Sequence, residues 1–497
     1  MKQGAPARRD VVFAGALLAG AAFVHLHRFL LPVDDPDMGV YLHVAFAWLH
    51  GNLPYIAAWE YKPPGLFALY ALALRLCGER PAIAVQALAT LATWATALAL
   101  WRLGPLVDLE DGTRSGRYAA IFALLLSTEN EGYLGDAEVL IAPLIAWALV
   151  LSLRRHRVAY TTACCGLLCG AALQMKLTAL PLMFPVAFAL MWTSRRPLGA
   201  LAGMVAATLA PFAIEAGLYA HSGVFAALWD ANVTATWRRF TALGQGVMVE
   251  NLRWFTEQLR VMAPAVELAP LSFALRRHDR LAFAASWGWL AAALVVIAAA
   301  GEFYDRHFVL IIAPLALLGA IGLRIGSSIL GAHARAFAVV MFVATFALHD
   351  YWETAQAAAL VEHRVFLGDH SWHESEYDRI VTALRRFGSG SSLYVIQLTP
   401  LLYDALAATA PTRFADSDLL LDDRMRATTG IRGIAELQHV FRGGPRFVAV
   451  GGHLSEPRFD PGAVSFVRAQ LLRNYRVRCR VGSATLYERR VTGPANR

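Results

Sequence analysis

The sequence predicts an all-α polytopic membrane domain followed by a small α/β domain, on three observations. The chain of 497 residues is 57% hydrophobic and 16% charged, where a soluble domain carries about 25% charge. Apolar stretches of roughly 17 to 24 residues recur over the first two thirds, the length that spans a hydrocarbon core. From Tyr351 onward the composition becomes that of a soluble domain. We therefore expect residues 1–350 to form the transmembrane domain and residues 351–497 an extracytoplasmic α/β domain.

The net charge of +8 is not a nucleic-acid footprint, because the arginines cluster in short loops between apolar stretches, where they set membrane topology. Of the 45 basic residues only Lys2, Lys62 and Lys176 are lysines. A GC-rich genome is the plain explanation of the bias. It leaves open why two of the three lysines sit beside apolar stretches, where a compact ammonium suits a phosphate as a point charge. The five cysteines have no metal-ligand spacing. Cys164, Cys165 and Cys169 lie in an apolar run and are expected to pack as small hydrophobes, and a bridge between Cys77 and Cys479 is the one pairing that an oxidising compartment would allow.

The first apolar stretch, residues 11–31, follows Lys2, Arg8 and Arg9. It is too long for a signal-peptide core, so it is expected to be a first crossing with the N-terminus in the cytoplasm. Residues 32–64, PVDDPDMGVYLHVAFAWLHGNLPYIAAWEYKPP, then lie outside. Within them, residues 38–50 put Val40, Tyr41, Val44, Trp48 and Leu49 on one face, which suggests a helix in the membrane interface. Residues 65–77 are too short to span and are expected to insert partly from the outer side. Crossings follow at 81–101, 118–128, 139–153, 158–174, 177–192, 198–220, 250–273, 281–300, 308–323 and 337–349, which gives about eleven in all. This parity keeps Arg154 to Arg157, Arg195, Arg196 and Arg276 to Arg280 on the cytoplasmic side. Outer residues 221–248 contain an amphipathic piece at 225–240. In the C-terminal domain, helices are expected at 374–387, 400–408 and 463–473, and strands at 392–398, 447–450, 475–481 and 484–489.

The same parity collects Asp34, Asp35, Asp37, Lys62, Asp136, Glu138, Lys176, Glu302, Tyr304, Asp305, Arg306 and His307 on one face. A single acid in an outer loop is more often merely solvated. Asp37 differs because it opens a helix, where a carboxylate is stabilised, and Lys62 is held by two prolines. Snorkelling is the plain alternative for Lys176, and topology anchoring for Arg306 and His307. Acids and cations at a membrane surface suit one reaction class. A positioned carboxylate takes the proton of an attacking hydroxyl, and cations absorb the charge that develops on a lipid-phosphate leaving group.

At these residues the sequence resembles the GT-C superfamily of integral-membrane glycosyltransferases, in the bacterial branch related to protein O-mannosyltransferases and lipid A aminoarabinose transferases. The likeness is carried by Asp37, Tyr41, Gly51-Asn52-Leu53-Pro54-Tyr55 and Lys62-Pro63-Pro64, then by GYLGDAEVL with Asp136 and Glu138. It continues in Pro400, Tyr403, Pro411, Phe414 and PRFVAVGG. Met38 departs from the Asp-Glu pair common at the first motif, and Asp35 is the available substitute.

The resemblance implies a GT-C-type fold in a bacterial inner membrane and a hexosyl or pentosyl transferase. It also implies a sugar donor on a polyprenyl phosphate, with inversion at the anomeric carbon. It assigns Asp37 as the base and Glu138, or alternatively Asp136, to orienting the acceptor or the base. Lys62 and Lys176 hold the donor phosphate, with Arg306 and His307 as further candidates. Tyr41, Tyr55, Tyr304 and Glu302 are candidate substrate-binding residues. Some superfamily members use a divalent metal, but no ligand set is legible here and no cofactor is expected. Partners are the lipid-linked donor and membrane lipid, and protein, lipid A, glycan or another lipid could each serve as acceptor. The alternative is a non-enzymatic translocase or scaffold for lipid-linked sugars. A transporter would tend to show internal repeats with acids near the midplane, and neither feature is present.

Overall fold

The computed structural model describes residues 8–329, 355 and 358–490, except 34, 130, 155–157, 243–250, 302, 370–374, 388, 389, 453 and 455. Five helices among these are long and apolar enough to cross a membrane: Arg8–Leu30, Pro81–Val107, Pro197–His221, Arg280–Ala300 and Asp305–Ser328. Shorter apolar helices cover Pro64–Leu76, Ala137–Leu153, Tyr160–Met175 and Leu177–Thr193. Pro64–Leu76, with 13 residues, is about 20 Å long at 1.5 Å per residue, short of a core of about 30 Å. The expected crossing at 337–349, the arginine run at 155–157, Asp34 and Glu302 lie outside the described residues.

Two expected crossings take other forms. The short stretch at 118–128 is lengthened at its N-terminal end, because Asp111 caps a helix running Gly112–Leu126 by accepting the Arg114 N–H. Gly112 and Gly116 lie so close to residues 101–105 of the neighbouring helix that a β-carbon on either would strike its backbone, the small-residue contact typical of membrane helices. The stretch at 250–273 is broken into Leu252–Val261, Ala263–Leu268 and a 3-10 turn at Ala269–Ala274. Its first piece carries Arg253, Glu257 and Arg260, and Pro264 and Pro270 each start a new piece, as a residue without an N–H does.

The chain divides into two compact units. The first joins Met1–Leu30, Ile83–Gly217 and Gln245–Gly368. Its centre is Val309–Ile329, whose span is buried throughout and packs on Gly112–Leu126, Ala263–Leu268 and Arg280–Ala300. One end of this helix is tied by a buried ion network: Arg324 Nε lies 2.7 Å from Asp108 Oδ2, and its Nη2 donates to Glu110 at 3.1 Å. All five cysteines are free, and Cys165 and Cys169 are buried as expected of small hydrophobes.

The second unit joins Leu31–Ala82, Leu218–Gly244 and Asp369–Arg497. It holds one sheet of β1 (Leu393–Ile396), β2 (Phe447–Val450), β3 (Tyr475–Val481) and β4 (Ala484–Arg489), ordered β1-β2-β4-β3. β1 and β2 run parallel, with Leu393 opposite Phe447, and the other pairs are antiparallel. All four strands were legible from their apolar patterning. β1 and β2 are buried along their whole length, and the helix Glu376–Arg385 covers the core formed by Val395, Phe447, Ala449 and Leu486.

The helix expected at 38–50 runs from Pro36 to Leu49. It is packed by Pro64–Leu76 and also by Leu401–Ala405. His43 Nδ1 lies 2.9 Å from Asp404 Oδ2, and a β-carbon at Gly39 would collide with the Thr399 hydroxyl.

Candidate active site

Asp35 and Asp37 do different jobs at the start of Pro36–Leu49. Asp35 is the N-cap, accepting the Met38 N–H at 2.9 Å, which satisfies one orphan donor of the first turn. Asp37 stands in that turn, half-buried, where the helix end favours its negative charge. Met38 points into the core.

The loop from Tyr55 to Lys62 is held by its own side chains. Tyr55 has φ of 75°, a conformation that L residues avoid and that persists only where surroundings over-determine it. Here its phenol donates to the Lys62 carbonyl at 2.7 Å and accepts from Asn232 Nδ2 at 3.0 Å, while its N–H donates to Ala58 O at 2.8 Å. Tyr55, proposed for substrate, is thus fully buried and pins the backbone of the lysine.

Lys62 is buried at 5% exposure. Its Nζ donates to Glu60 Oε1 at 3.3 Å and stands 4.3 Å from the centre of the Tyr61 ring and 5.4 Å from that of Tyr41. The Arg239 guanidinium lies 5.1 Å from the Tyr61 ring centre. Two cations therefore share one aromatic platform, the arrangement that ring quadrupoles favour. Burial by itself would lower the Lys62 pKa, but Tyr61, Glu60 and Asp37 outweigh it and the ammonium keeps its proton firmly. Burial pushes the Glu60 carboxyl up, Lys62 pulls it back, and Asp37 adds to the upward push. This is a fixed cation pair with a carboxylate beside it, suited to an oxyanion and a proton acceptor.

Sequence reasoning missed Glu60, Arg239 and Asn232. Glu60 was visible two residues before Lys62 in EYKPP. Arg239 was not distinguishable in sequence from the other arginines, which are numerous where lysines are scarce. The amphipathic piece at 225–240 is realised as Phe225–Trp229, a π-turn at Asp230–Thr234, and Ala235–Ala242. Phe225, Trp229, Trp237 and Phe240 are exposed, whereas Asn232 is turned inward to Tyr55.

The remaining candidates lie in the first unit. Glu138, buried in the first turn of Ala137–Leu153, is ion-paired to Lys176, and Asp136 is buried at the N-cap position of the same helix. Lys176 follows Val158–Met175 and precedes the 3-10 turn Leu177–Met183. The Gln174 amide donates to Glu215 at 2.7 Å. Arg306 stacks over Tyr304, 5.2 Å from the ring centre, and the His307 N–H donates to Tyr304 O at 2.9 Å. A small, mostly apolar cavity lined by Thr93, Thr96, Ser127 and Val139 holds none of these candidates. Among the described residues, no three His, Cys, Asp or Glu side chains are grouped so as to hold a metal ion.

Apolar helices, a small four-stranded sheet and acids and cations near helix ends are the features by which solved structures can be compared with this one. The crystal structure of ArnT from Cupriavidus metallidurans bound to undecaprenyl phosphate matches 99% of this chain and 100% of its own, with a TM-score of 0.64 at 15% identity. ArnT from the same organism in the apo state matches 96% of this chain and 97% of its own, with a TM-score of 0.59 at 16% identity. No protein-family profile matches the chain, and no curated protein matches it by sequence. The likeness is one of fold, over nearly the whole length of both chains, and it is the fold that the resemblance implied.

Proposed function

We propose that this protein is a glycosyltransferase of the bacterial inner membrane. It moves a hexosyl or pentosyl group from a polyprenyl-phosphate donor to a hydroxyl acceptor at the outer face. The observation that carries this is the Lys62–Arg239 cation pair on Tyr61 with Asp37 among its charged neighbours. The fold it shares with ArnT, which was crystallised with undecaprenyl phosphate, supports a lipid phosphate as the anion. The proposed topology keeps about eleven crossings, with the N-terminus inside and the C-terminal domain outside.

In the proposed step the acceptor oxygen attacks the anomeric carbon from the side opposite the phosphate. Its proton passes to Asp37, the bond from carbon to phosphate oxygen breaks, and the electron pair leaves with the polyprenyl phosphate. The sugar is inverted. Lys62 and Arg239 meet the charge that grows on the phosphate, which is where cations lower a barrier. Glu60 keeps the Lys62 ammonium in place. We assign Glu138, or alternatively Asp136, to orienting the acceptor or base, and Lys176, Arg306 and His307 to further contacts with the donor.

The test is mass spectrometry of envelope lipids and glycans from a deletion strain complemented with wild-type protein or Asp37→Asn. Wild type should restore a product heavier by one sugar. Asp37→Asn should accumulate normally and lower the rate of transfer by about 100- to 10,000-fold. Full transfer by Asp37→Asn removes the base assignment, and restoration of transport with no covalent product favours the translocase.

A further inference from the structure

Strand β3 is an edge of the sheet, and it is basic: residues 473–490 hold six arginines and one acid, Glu488. Edge strands carry charge to keep other strands off, but three arginines here are gathered rather than spread. Phe447 of β2, Glu488 of β4 and Arg476 of β3 stand opposite one another in register across three strands. Arg476 Nη2 donates to Glu488 Oε2 at 2.8 Å. Val477 pairs with Tyr487 and Cys479 with Leu486, so Arg478 is the extra residue of a bulge, a device that re-aims a side chain. It turns to the same acid, its Nε 3.9 Å from Glu488 Oε2, with its guanidinium 4.8 Å from the centre of the Phe387 ring. Arg446, just before β2, lies over the Phe447 ring at 4.9 Å and donates to Ser391 Oγ at 3.2 Å. The Phe387 and Phe447 rings are 6.0 Å apart. The Arg476 hydrogen bond, with the charges of Arg476, Arg478 and Arg446, holds the Glu488 carboxyl below its usual range against the cost of burial.

We propose that Arg446, Arg476 and Arg478 form a binding site for a phosphate monoester on the C-terminal domain, with the Phe387–Phe447 pair as its floor and Glu488 as its spacer. Three cations share a single carboxylate, so the group is left with a surplus of positive charge that a phosphate dianion matches. Each guanidinium has five N–H donors in a planar fork suited to phosphate oxygens. Arg446 and Arg476 each use one of these on the contacts above, and the rest remain for a ligand. Contact with the rings holds Arg446 and Arg478 in place, so less side-chain freedom is lost when an anion arrives. All three arginines are exposed, and a ligand can reach them. The site shares no residue with the Lys62–Arg239 cradle and does not rest on it. A lipid headgroup and a free phosphate offer this chemistry alike.

The experiment uses the full chain in phosphatidylcholine nanodiscs at low salt and about pH 8, where a phosphate monoester is a dianion. The probes are inorganic phosphate, dioctanoyl phosphatidic acid and, as the diester control, dioctanoyl phosphatidylglycerol, with binding read by titration calorimetry. Any binding at Lys62 is common to wild type and variants, so the site is read as the difference between them. Arg476→Gln and Arg478→Gln should each weaken binding of the monoester by about fivefold, and Glu488→Gln should tighten it by about fivefold. An ion network that served structure alone would give no such tightening. Tighter binding of phosphatidic acid than of inorganic phosphate assigns the site to a lipid headgroup, equal binding assigns it to phosphate itself, and either upholds it. Phosphatidylglycerol bound as tightly as phosphatidic acid overturns the monoester. Equal affinities in wild type and all three variants, or no binding by wild type, overturn the site. Should Arg478→Gln fail to fold, Arg446→Gln takes its place.

Discussion

Replacing Lys62 by methionine removes an ammonium while keeping most of the side-chain length, and leaves Glu60 buried without its partner. Both side chains are 6% exposed and their charged atoms lie 3.3 Å apart. Breaking such a buried pair from one side costs about 3 to 5 kcal/mol, because a charge is left uncompensated. Glu60 has an escape: it takes up a proton. A carboxyl whose pKa is higher in the folded protein than in the unfolded chain binds its proton more tightly when folded. Its contribution to stability is therefore lost as pH rises from the unfolded value, about 4.3, through the folded one. Burial and Asp37 already push Glu60 upward, and without Lys62 only Arg239 is left to oppose the push. Lys62→Met should therefore be only mildly destabilised near pH 5 and lose up to about 1.4 kcal/mol per pH unit above that. Adding Glu60→Gln should recover most of the loss at pH 8, since a neutral amide replaces the stranded charge. Thermal unfolding in nanodiscs followed by tryptophan fluorescence, for the two single variants and the double variant across pH 5 to 8, reads this directly. A Lys62→Met protein whose stability tracks wild type with pH, and a double variant no better than Lys62→Met, would refute the idea that these two groups balance each other.

Two further outcomes are expected. Arg324→Met strands Asp108, whose side chain is fully buried, and should lower stability by about 3 to 5 kcal/mol; Asp108→Asn in the same chain should restore much of it, and a simple sum of losses in the double variant would argue against the ion pair. Trp59→Ala removes a side chain only 2% exposed, whose ring lies 5.3 Å from that of Phe414, and should cost about 3 to 5 kcal/mol; limited proteolysis should then cut within residues 409–418 faster than in wild type, and an unchanged cleavage pattern would count against the Trp59–Phe414 contact.

The membrane class was legible because it depends on composition and stretch length, which are properties of the chain alone. Strand patterning was equally local: Tyr475–Val481 and Ala484–Arg489 fall where alternation and a Gly-Ser turn put them. The short helix before Cys77 was recognisable because length alone decides whether a helix can span. Less was visible where neighbours decide. The helix of Pro36–Leu49 looked one-sided in sequence because its second face is covered by Leu401–Ala405, more than 350 positions away. The expected crossing at 250–273 is broken because its two prolines and five charged residues outweigh the apolar residues between them.

The same division runs through the candidate site. Residue types and spacing were enough to nominate Asp37, Lys62, Glu138 and Lys176, because chemistry requires acids and cations at a membrane edge. Which charge meets which was not there to be read. Glu138 turned out to neutralise Lys176, Lys62 found Glu60 and Tyr61, and Arg239 entered from far along the chain. Electrostatic energy varies with distance and with the loss of water between groups, and both are set only when Trp59 seats on Phe414 and Tyr55 locks its loop. Sequence supplied the inventory of charges, and tertiary packing decided their partners.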